Sequence, residues 1–432
     1  MNVTEASMTP PTAPTLRDLR ASAESLRAAG CPFACLVSAL GHPDLGQRSL
    51  LARDLTLEWS SESGADTAPV EAMRAAARAA FARGVRGLLL LATHEAVADL
   101  ERVPVHPDWR GLPRLQLWSA GSVDARISSA DDAGWGGATT TPQLRAPSSG
   151  PSASGLVSAD PAWHARSVAQ VHDAIASGRL YQLCLTFPFP LSPPDDPAAL
   201  FAWLMSRHPV DHGAWIHLPG LEVLSASPER FVALRGRRVT ARPMKGTRRL
   251  TPETAEAAMR DLAASAKDRA ENVMIADLVR NDLGRVCRAG TVQADALWQI
   301  ERYASVAQMT STISGELRDD CDVFDLFAAA FPPGSMTGAP KLEACRMIHE
   351  LERGPRGLYG GVVGWLDPSG DASFSVVIRT LQVRDGEARW DIGGGIVYDS
   401  TAEGEWAEAQ AKLGPLRELF DGAAPLGPME GR

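Results

Sequence analysis

No apolar run in this 432-residue chain approaches the ~20 residues that a membrane-crossing helix needs. The longest, around Phe33–Leu40 and Leu88–Ala92, read as strands. The first twenty residues are rich in Thr, Pro and Ala and lack a basic start followed by an apolar segment, so no secretory leader is expected and the setting is read as cytoplasmic. Cysteine is scarce. The six (Cys31, Cys35, Cys184, Cys287, Cys321, Cys345) are scattered, which argues against a disulfide framework and for free thiols. Cys31 and Cys35 have no second Cys/His pair at zinc spacing. A surplus of positive charge is missing too. At a net charge of −9 and a pI of about 5.6, the chain is no general binder of nucleic acid or anionic membranes, and an anionic substrate would have to meet a local basic pocket. The 45% hydrophobic and 22% charged content excludes wholesale disorder.

Two motifs that would fix a chemistry are also missing. Gly334-Ser-Met-Thr-Gly338-Ala-Pro-Lys341 looks like a phosphate loop but fails, because Ala339 and Pro340 separate the glycine from the lysine. What remains is a Gly-rich turn after Pro332-Pro333. It either offers N–H groups to a carboxylate at a helix start or is a plain turn. No cysteine sits in a Gly-x-Cys-x-Gly elbow, so no glutaminase is expected within the chain, nor is a fused lyase domain. Arg235–Arg249 carries seven basic residues but no interleaved aromatics, and a solvated strand face is the plain account. Lys245 differs from its neighbours. It lies between Pro243-Met244 and Gly246-Thr247, a tight setting in which a partly desolvated lysine can act as a nucleophile.

Along the chain, residues 1–15 read as a disordered tail, 16–118 as the N-terminal α/β portion of a sandwich, with alternating short strands and helices, and 119–156 as a loop or linker rich in Ser, Gly, Asp, Thr and Pro. Residues 157–420 follow as one catalytic unit, with a tail at 421–432. Helices are expected over Val70–Arg83, Ala162–Ser177, Thr254–Leu283, Val323–Phe331 and Leu342–Glu352, and from Thr401 onward. Strands are expected at Leu180–Phe189, Glu222–Ser227, Phe231–Leu234, Gly361–Leu366, Phe374–Val383 and Arg389–Tyr398. Consecutive strands without intervening helices indicate an α+β fold built on antiparallel sheet.

Several charged residues sit where charge is expensive. By period two, Arg379 shares a strand face with Val377, Leu381 and Val383, so it must meet a carboxylate of the protein or of a ligand. Asp268 and Glu271 share one helix face. Ser400-Thr-Ala-Glu403 reads as a capping box, after which Glu405 and Glu408 share a face and Lys412 follows Glu408 at i+4. Surface ion pairing accounts for these charges, and so would two acidic helix faces converging on a hard cation such as magnesium, which takes oxygen ligands and keeps several waters. Glu229, after Ser227-Pro228, is either a turn residue or a buried general acid. His208, His212 and His217 are read as structural.

Taken in order, Tyr181-Gln-Leu, Ser227-Pro-Glu-Arg, Arg242-Pro-Met-Lys-Gly-Thr, Asp268-Arg-Ala-Glu-Asn, Asp277-Leu-Val-Arg-Asn-Asp-Leu-Gly-Arg, Gly334-Ser-Met-Thr-Gly-Ala-Pro-Lys, Ile378-Arg-Thr and Gly393-Gly-Gly-Ile-Val resemble the chorismate-utilising enzymes. This family includes the large subunits of anthranilate synthase and aminodeoxychorismate synthase and the isochorismate and salicylate synthases. The resemblance covers about residues 160–415. It implies a large sandwich of two antiparallel β-sheets flanked by helices, with the active site in the cleft between the sheets. It implies Mg2+ held by Glu271, Glu405 and Glu408, with Asp268 at a further acidic position. Tyr359, Arg379, Lys412, Thr337 and the backbone near Gly394 and Gly395 would bind chorismate, and Glu229 would assist loss of the ring 4-hydroxyl.

The Pro-x-Lys-Gly-Thr form, with Lys245, resembles the aminodeoxychorismate synthase branch, whereas anthranilate synthases carry Ala there. In that branch the lysine attacks C2 and ammonia then displaces it by attack at C4. Isochorismate and salicylate synthases carry a water-activating lysine where this chain has Gln182, so water addition is disfavoured. The tryptophan signature Leu-Leu-Glu-Ser is not found. Two positions depart from the family. Gln308 replaces a histidine: its amide can still donate to a substrate carboxylate and so bind chorismate, but it cannot shuttle protons, which disfavours the pyruvate elimination of anthranilate formation. Cys184 replaces an asparagine. The expected activity is amination of chorismate with ammonia from a separate glutamine amidotransferase subunit, the product serving p-aminobenzoate and folate synthesis. An anthranilate synthase large subunit and an inactive binding paralogue are the alternatives.

Overall fold

The computed structural model describes residues 14–39, 48–61, 68–127, 135, 142–144, 160–303, 306–417 and 419. Its strands are β1 (Phe33–Val37), β2 (Arg48–Ser60), β3 (Leu88–Ala92), β4 (Leu115–Ile127), β5 (Gln182–Leu191), β6 (His212–Leu218), β7 (Leu221–Ser227), β8 (Arg230–Arg235) and β9 (Arg238–Arg242). They continue with β10 (Met244–Arg249), β11 (Gln293–Arg302), β12 (Val306–Glu316), β13 (Gly338–Ala339), β14 (Val362–Leu366), β15 (Ala372–Val376), β16 (Thr380–Arg384) and β17 (Glu387–Ile396). The helices are α1 (Leu16–Ala28), α2 (Pro69–Ala82), α3 (Val97–Glu101), α4 (Pro161–Ala176), α5 (Pro197–Arg207), α6 (Ala255–Ala264), α7 (Ala266–Gly284), α8 (Val323–Ala330), α9 (Lys341–Leu351) and α10 (Ala402–Ala411).

Every strand pairing is antiparallel. Neighbours run β13-β5-β17-β16-β7-β6-β1-β2-β4-β3-β14-β15-β8-β9-β12. β11 lies on the other edge of β12, and β10 pairs with β12 beyond β9. The sheet is therefore one hydrogen-bonded network, and the long β2–β4 pair is where it turns over on itself.

The period-two pattern shows the layers. Ala34 of β1, Leu89 and Leu91 of β3, Ile216 of β6, Val223 of β7 and Trp365 of β14 meet in one core between the two halves. The alternate residues Phe33, Cys35 and Val37 of β1 point the other way, into a core covered by α1, α4, α5 and α10. Leu88, Leu90 and Ala92 of β3 likewise face α2, α7 and α8. The result is a four-layer helix–sheet–sheet–helix sandwich, in agreement with the expected α+β class. Residues 16–118 are not a separate body, because β1–β4 occupy the middle of the network.

Four local expectations need correction. β4 continues to Ile127, paired with β2, where a loop from residue 119 was expected. Of the rest of that loop, Trp135 and Leu144 are buried and most of it lies outside the described residues, as do 1–13 and 421–432. The helix expected over Thr254–Leu283 is two helices broken at Ser265, whose ψ of 111° leaves the helical region while its hydroxyl caps α7 at Asp268 N. The Gly-rich turn does not open a helix directly. It forms a short 3-10 turn at Gly334–Met336 and then the two residues of β13, and α9 starts only after Pro340. The strand expected over Phe374–Val383 is two strands in different halves of the sandwich.

Three of the seven basic residues of Arg235–Arg249 are ion-paired within the protein. Arg238 meets Asp295 at 2.8 Å, Arg242 meets Glu301, and Arg248 bridges Asp261 and Asp268 at 2.6 and 2.9 Å. All six cysteines are free thiols.

Candidate active site

The site is built where two neighbouring segments cross from one half of the sandwich to the other. β7 pairs with β6 and β16, whereas β8 pairs with β9 and β15, so the chain changes layer at Ser227-Pro228-Glu229. β15 pairs with β14 and β8, whereas β16 pairs with β7 and β17, so the chain changes layer again at Val377–Arg379. The two crossings are stitched side by side. Ala226 N donates to Arg379 O at 3.0 Å, Val376 N donates to Glu229 O at 3.1 Å, and Ser227 Oγ donates to Val376 O at 2.6 Å. Arg379 takes a left-handed φ of 49° to make its turn. It is thus not on an apolar strand face as the period-two reading had it, but at the junction, beside Glu229 and Tyr303.

Glu229 is 4% exposed, and burial pushes its carboxyl up to about 7 against the opposing pull of Ser335, Lys245 and Arg379. Lys245 enters from β10, and its Nζ lies 3.5 Å from the Ser335 carbonyl oxygen. A Cβ added at Gly395 would lie 3.0 Å from Lys245 Nζ and 2.5 Å from Gln182 Nε2, so β17 must carry glycine for these side chains to reach the cleft. The inward faces of the paired strands β5 and β17 are polar or bare here, with Cys184 and Thr186 opposite Gly395 and Gly393 and Gln182 two residues before Cys184, while their outward faces supply Leu183, Leu185, Ile392 and Ile396 to the core.

The acidic group lies beside this centre. A Cβ at Gly394 would stand 2.7 Å from Glu405 Oε2 and 3.7 Å from Glu408 Oε1. Glu405 is buried. Its Oε1 accepts from Ser400 Oγ at 2.5 Å, and its Oε2 is buried without a partner. The expected capping box is displaced by one residue: Thr401 caps α10 at Gly404 N, which frees Ser400 for Glu405. Glu408 is exposed and pairs with Lys412 at 3.0 Å, which holds its carboxyl below the usual range. Lys412 also donates to Gly393 O. Burial raises Glu271 on α7, helped by the like charges of Glu408 and Asp268 and opposed by Lys245 and Lys267. Asp268 adjoins the group, but Arg248 holds its carboxylate at 2.9 Å. Among the described residues, no three His, Cys, Asp or Glu side chains close into a ready-made metal cage.

Not every expected contact faces the opening. Thr337 is fully buried, donates its hydroxyl to Pro333 O at 3.1 Å and accepts from Cys184 N, so it joins the Gly-rich turn to β5. Tyr359 packs beside Cys184 and Arg356, and burial raises its phenol well above its ordinary value. Gln308 sits on β12 opposite Thr247, two residues from Lys245, with a buried Oε1 that has no partner. Ser335 was missed as a site residue, and Gln182 was read only as the position that holds a lysine in water-adding enzymes. In the structure Gln182 is a fully buried amide, both of whose polar atoms lack partners, which marks it as part of the site. Beneath the site, Arg356 bonds Glu352, Met336 O and Cys184 O, and Glu352 bonds Thr186, which fixes the floor.

Residues 59–418 match the family described as chorismate binding enzyme. Over 254 residues the chain is 42% identical to an aminodeoxychorismate synthase of Streptomyces griseus, a match covering 58% of this chain and 35% of that protein. Over 260 residues it is 39% identical to an anthranilate synthase component 1 of Mycolicibacterium smegmatis, covering 58% and 50%. The matched part thus spans half the length of these curated relatives or less. Among solved structures, anthranilate synthase component I from Streptococcus pneumoniae superposes with a TM-score of 0.71 at 22% identity, over 88% of this chain and 93% of that one, and so shares the fold.

Proposed function

The chain belongs to the chorismate-binding enzymes, and from that premise we propose that it aminates chorismate at C4 to give 4-amino-4-deoxychorismate. The observation that carries this reading is Lys245, an amine beside Gly395 and next to the buried acid Glu229. In this reading the Lys245 amine attacks C2 of the ring while the C4–O bond breaks. Glu229 gives its proton to the departing oxygen, which leaves as water. Ammonia then attacks C4, the ring electrons return, and the C2–N bond to Lys245 breaks. Arg379 and Lys412 supply positive charge for the two substrate carboxylates.

Magnesium fits the donor set on chemical grounds. Glu271, Glu405 and Glu408 are hard oxygen donors from two helices, and Glu405 Oε2 is buried and unpartnered, as an oxygen awaiting a cation would be. An open arrangement suits an ion that keeps most of its waters. When bound, the ion would neutralise the ring carboxylate of the substrate. Ammonia would come from a glutamine amidotransferase subunit. The product would feed p-aminobenzoate and folate synthesis in the cytoplasm, where free thiols are stable.

Incubating the pure chain with chorismate, magnesium and ammonium, and identifying products by mass, tests the reading. An aminated product that keeps its enolpyruvyl group is expected. Anthranilate with pyruvate would instead support the second reading, an anthranilate synthase component, which the 39% identity to such a protein favours. Gln308 weighs against that outcome, since its amide cannot pass the proton that pyruvate elimination requires.

A further inference from the structure

A cavity of about 20 Å³, room for one water-sized molecule, lies against the active site. Glu229 is in its wall, and among the described residues the one other carboxylate in the wall is Asp282, near the end of α7. Phe231, Pro243, Ile275, Val279 and Pro333 supply much of the remaining lining, so a water there has few polar groups to bind besides the two acids, Arg230 and Ser335. Asp282 is 5% exposed and accepts from Lys341 Nζ at 2.7 Å. Arg285 and Glu101, themselves paired at 3.1 Å and partly exposed, adjoin it.

We propose that Asp282 recharges Glu229 with a proton through a water in this cavity, and that Lys341 holds the Asp282 carboxylate in position for the transfer. The proposal rests on the amination reading. Each turnover there takes one proton from Glu229 into the departing water, and Glu229 is itself almost wholly buried. The acid must be restored before the next substrate reacts. The balance closes as follows. The O–H bond of protonated Asp282 breaks as the water accepts its proton and passes another to the Glu229 carboxylate. Asp282 then takes a proton from solvent, and the ammonium formed at C4 sheds one to solvent. The two carboxyls are suited to exchange. Burial raises Asp282 to about 6 against the pull of Lys341 and Arg285, with Glu101 adding to the rise, and Glu229 to about 7 against Ser335, Lys245 and Arg379.

The test is rapid-quench kinetics with chorismate, magnesium and ammonium at pH 6, where Glu229 starts protonated. Asp282→Asn should convert the first equivalent of chorismate at the wild-type rate. Later turnovers should then slow at least tenfold, with KM for chorismate within twofold, and Asp282→Glu should keep most of the steady-state rate. Equal slowing of first and later turnovers, or an unchanged steady state, would overturn the proposal and leave the amination reading standing. If Asp282→Asn fails to fold, the wild type decides: a solvent deuterium effect larger in the steady state than in the first turnover supports the relay, and an equal effect in both overturns it. A wild-type chain that forms no aminated product overturns the reading itself, and the proposal with it.

Discussion

Glu229 offers a test that needs no substrate. Its carboxyl titrates at about 7 in the folded protein against an ordinary 4.5, and desolvation is the largest cause. At about 1.4 kcal/mol per pH unit, the fold disfavours the ionised form by about 3 kcal/mol. The sign follows from proton counting. Between pH 4.5 and 7 the unfolded chain has released this proton and the folded chain keeps it, so Glu229's contribution to stability falls as pH rises and levels off above 7. Glu229→Gln removes the titration while keeping the size and a hydrogen-bonding head. Relative to wild type, the variant should therefore gain stability with rising pH, by about 3 kcal/mol from pH 4.5 to 8. Urea unfolding of both proteins at pH 4.5, 5.5, 6.5 and 8 measures this. Glu95 and Asp282 also titrate high and bend the wild-type curve the same way, so only the difference between the two proteins isolates Glu229. A difference that stays flat with pH would falsify the raised carboxyl, and with it the claim that Glu229 is protonated when substrate arrives. If the claim holds, kcat of the wild type should decline above pH 7 as the acid ionises.

Lys245→Ala and Lys245→Arg should both cut ammonia-dependent kcat by orders of magnitude with chorismate binding intact, because a guanidinium stays protonated and cannot attack carbon. Near-normal turnover of the arginine variant would reduce Lys245 to a positive charge. Glu271→Gln and Glu408→Gln should each abolish turnover at limiting magnesium while the circular dichroism spectrum is kept; activity retained by either would remove that residue from the ion. Gly395→Ala should lose activity without unfolding, since its methyl would meet the ends of two flexible side chains, Gln182 and Lys245. Arg356→Met should destabilise the fold by about 3–5 kcal/mol in urea titration, because it leaves Glu352 buried and unpaired.

Local chemistry marked most of the pieces. Pro228 announced the break before Glu229, and the i, i+3 spacing put Glu405 and Glu408 together over Gly394. The basic run looked like a solvated face, but Arg238, Arg242 and Arg248 are ion-paired within the protein. Cap positions were the weakest points: Ser265 caps α7 within what read as one helix, and Thr401 caps α10 where Ser400 was expected to. Ser400 then took a task that no capping rule predicts, fixing the Glu405 carboxylate.

Arg379 shows what local pattern cannot carry. Ser-Val-Val-Ile-Arg-Thr-Leu-Gln-Val is an unbroken run of strand formers, with no glycine or proline where the chain turns. The turn comes from partners far away in sequence: β8 and β14 claim Ala372–Val376, and β7 and β17 claim Thr380–Arg384. The residues between must change layer, and a left-handed arginine is the result. An unfavourable φ at a charged residue persists only where the surroundings over-determine it. Here they do so by pinning Arg379 O to Ala226 N and Gly360 N to Val377 O. The same stitching holds Glu229 one strand away. The Glu229 carboxyl and the Arg379 guanidinium are thus placed by one set of backbone bonds, so moving either crossing would move both.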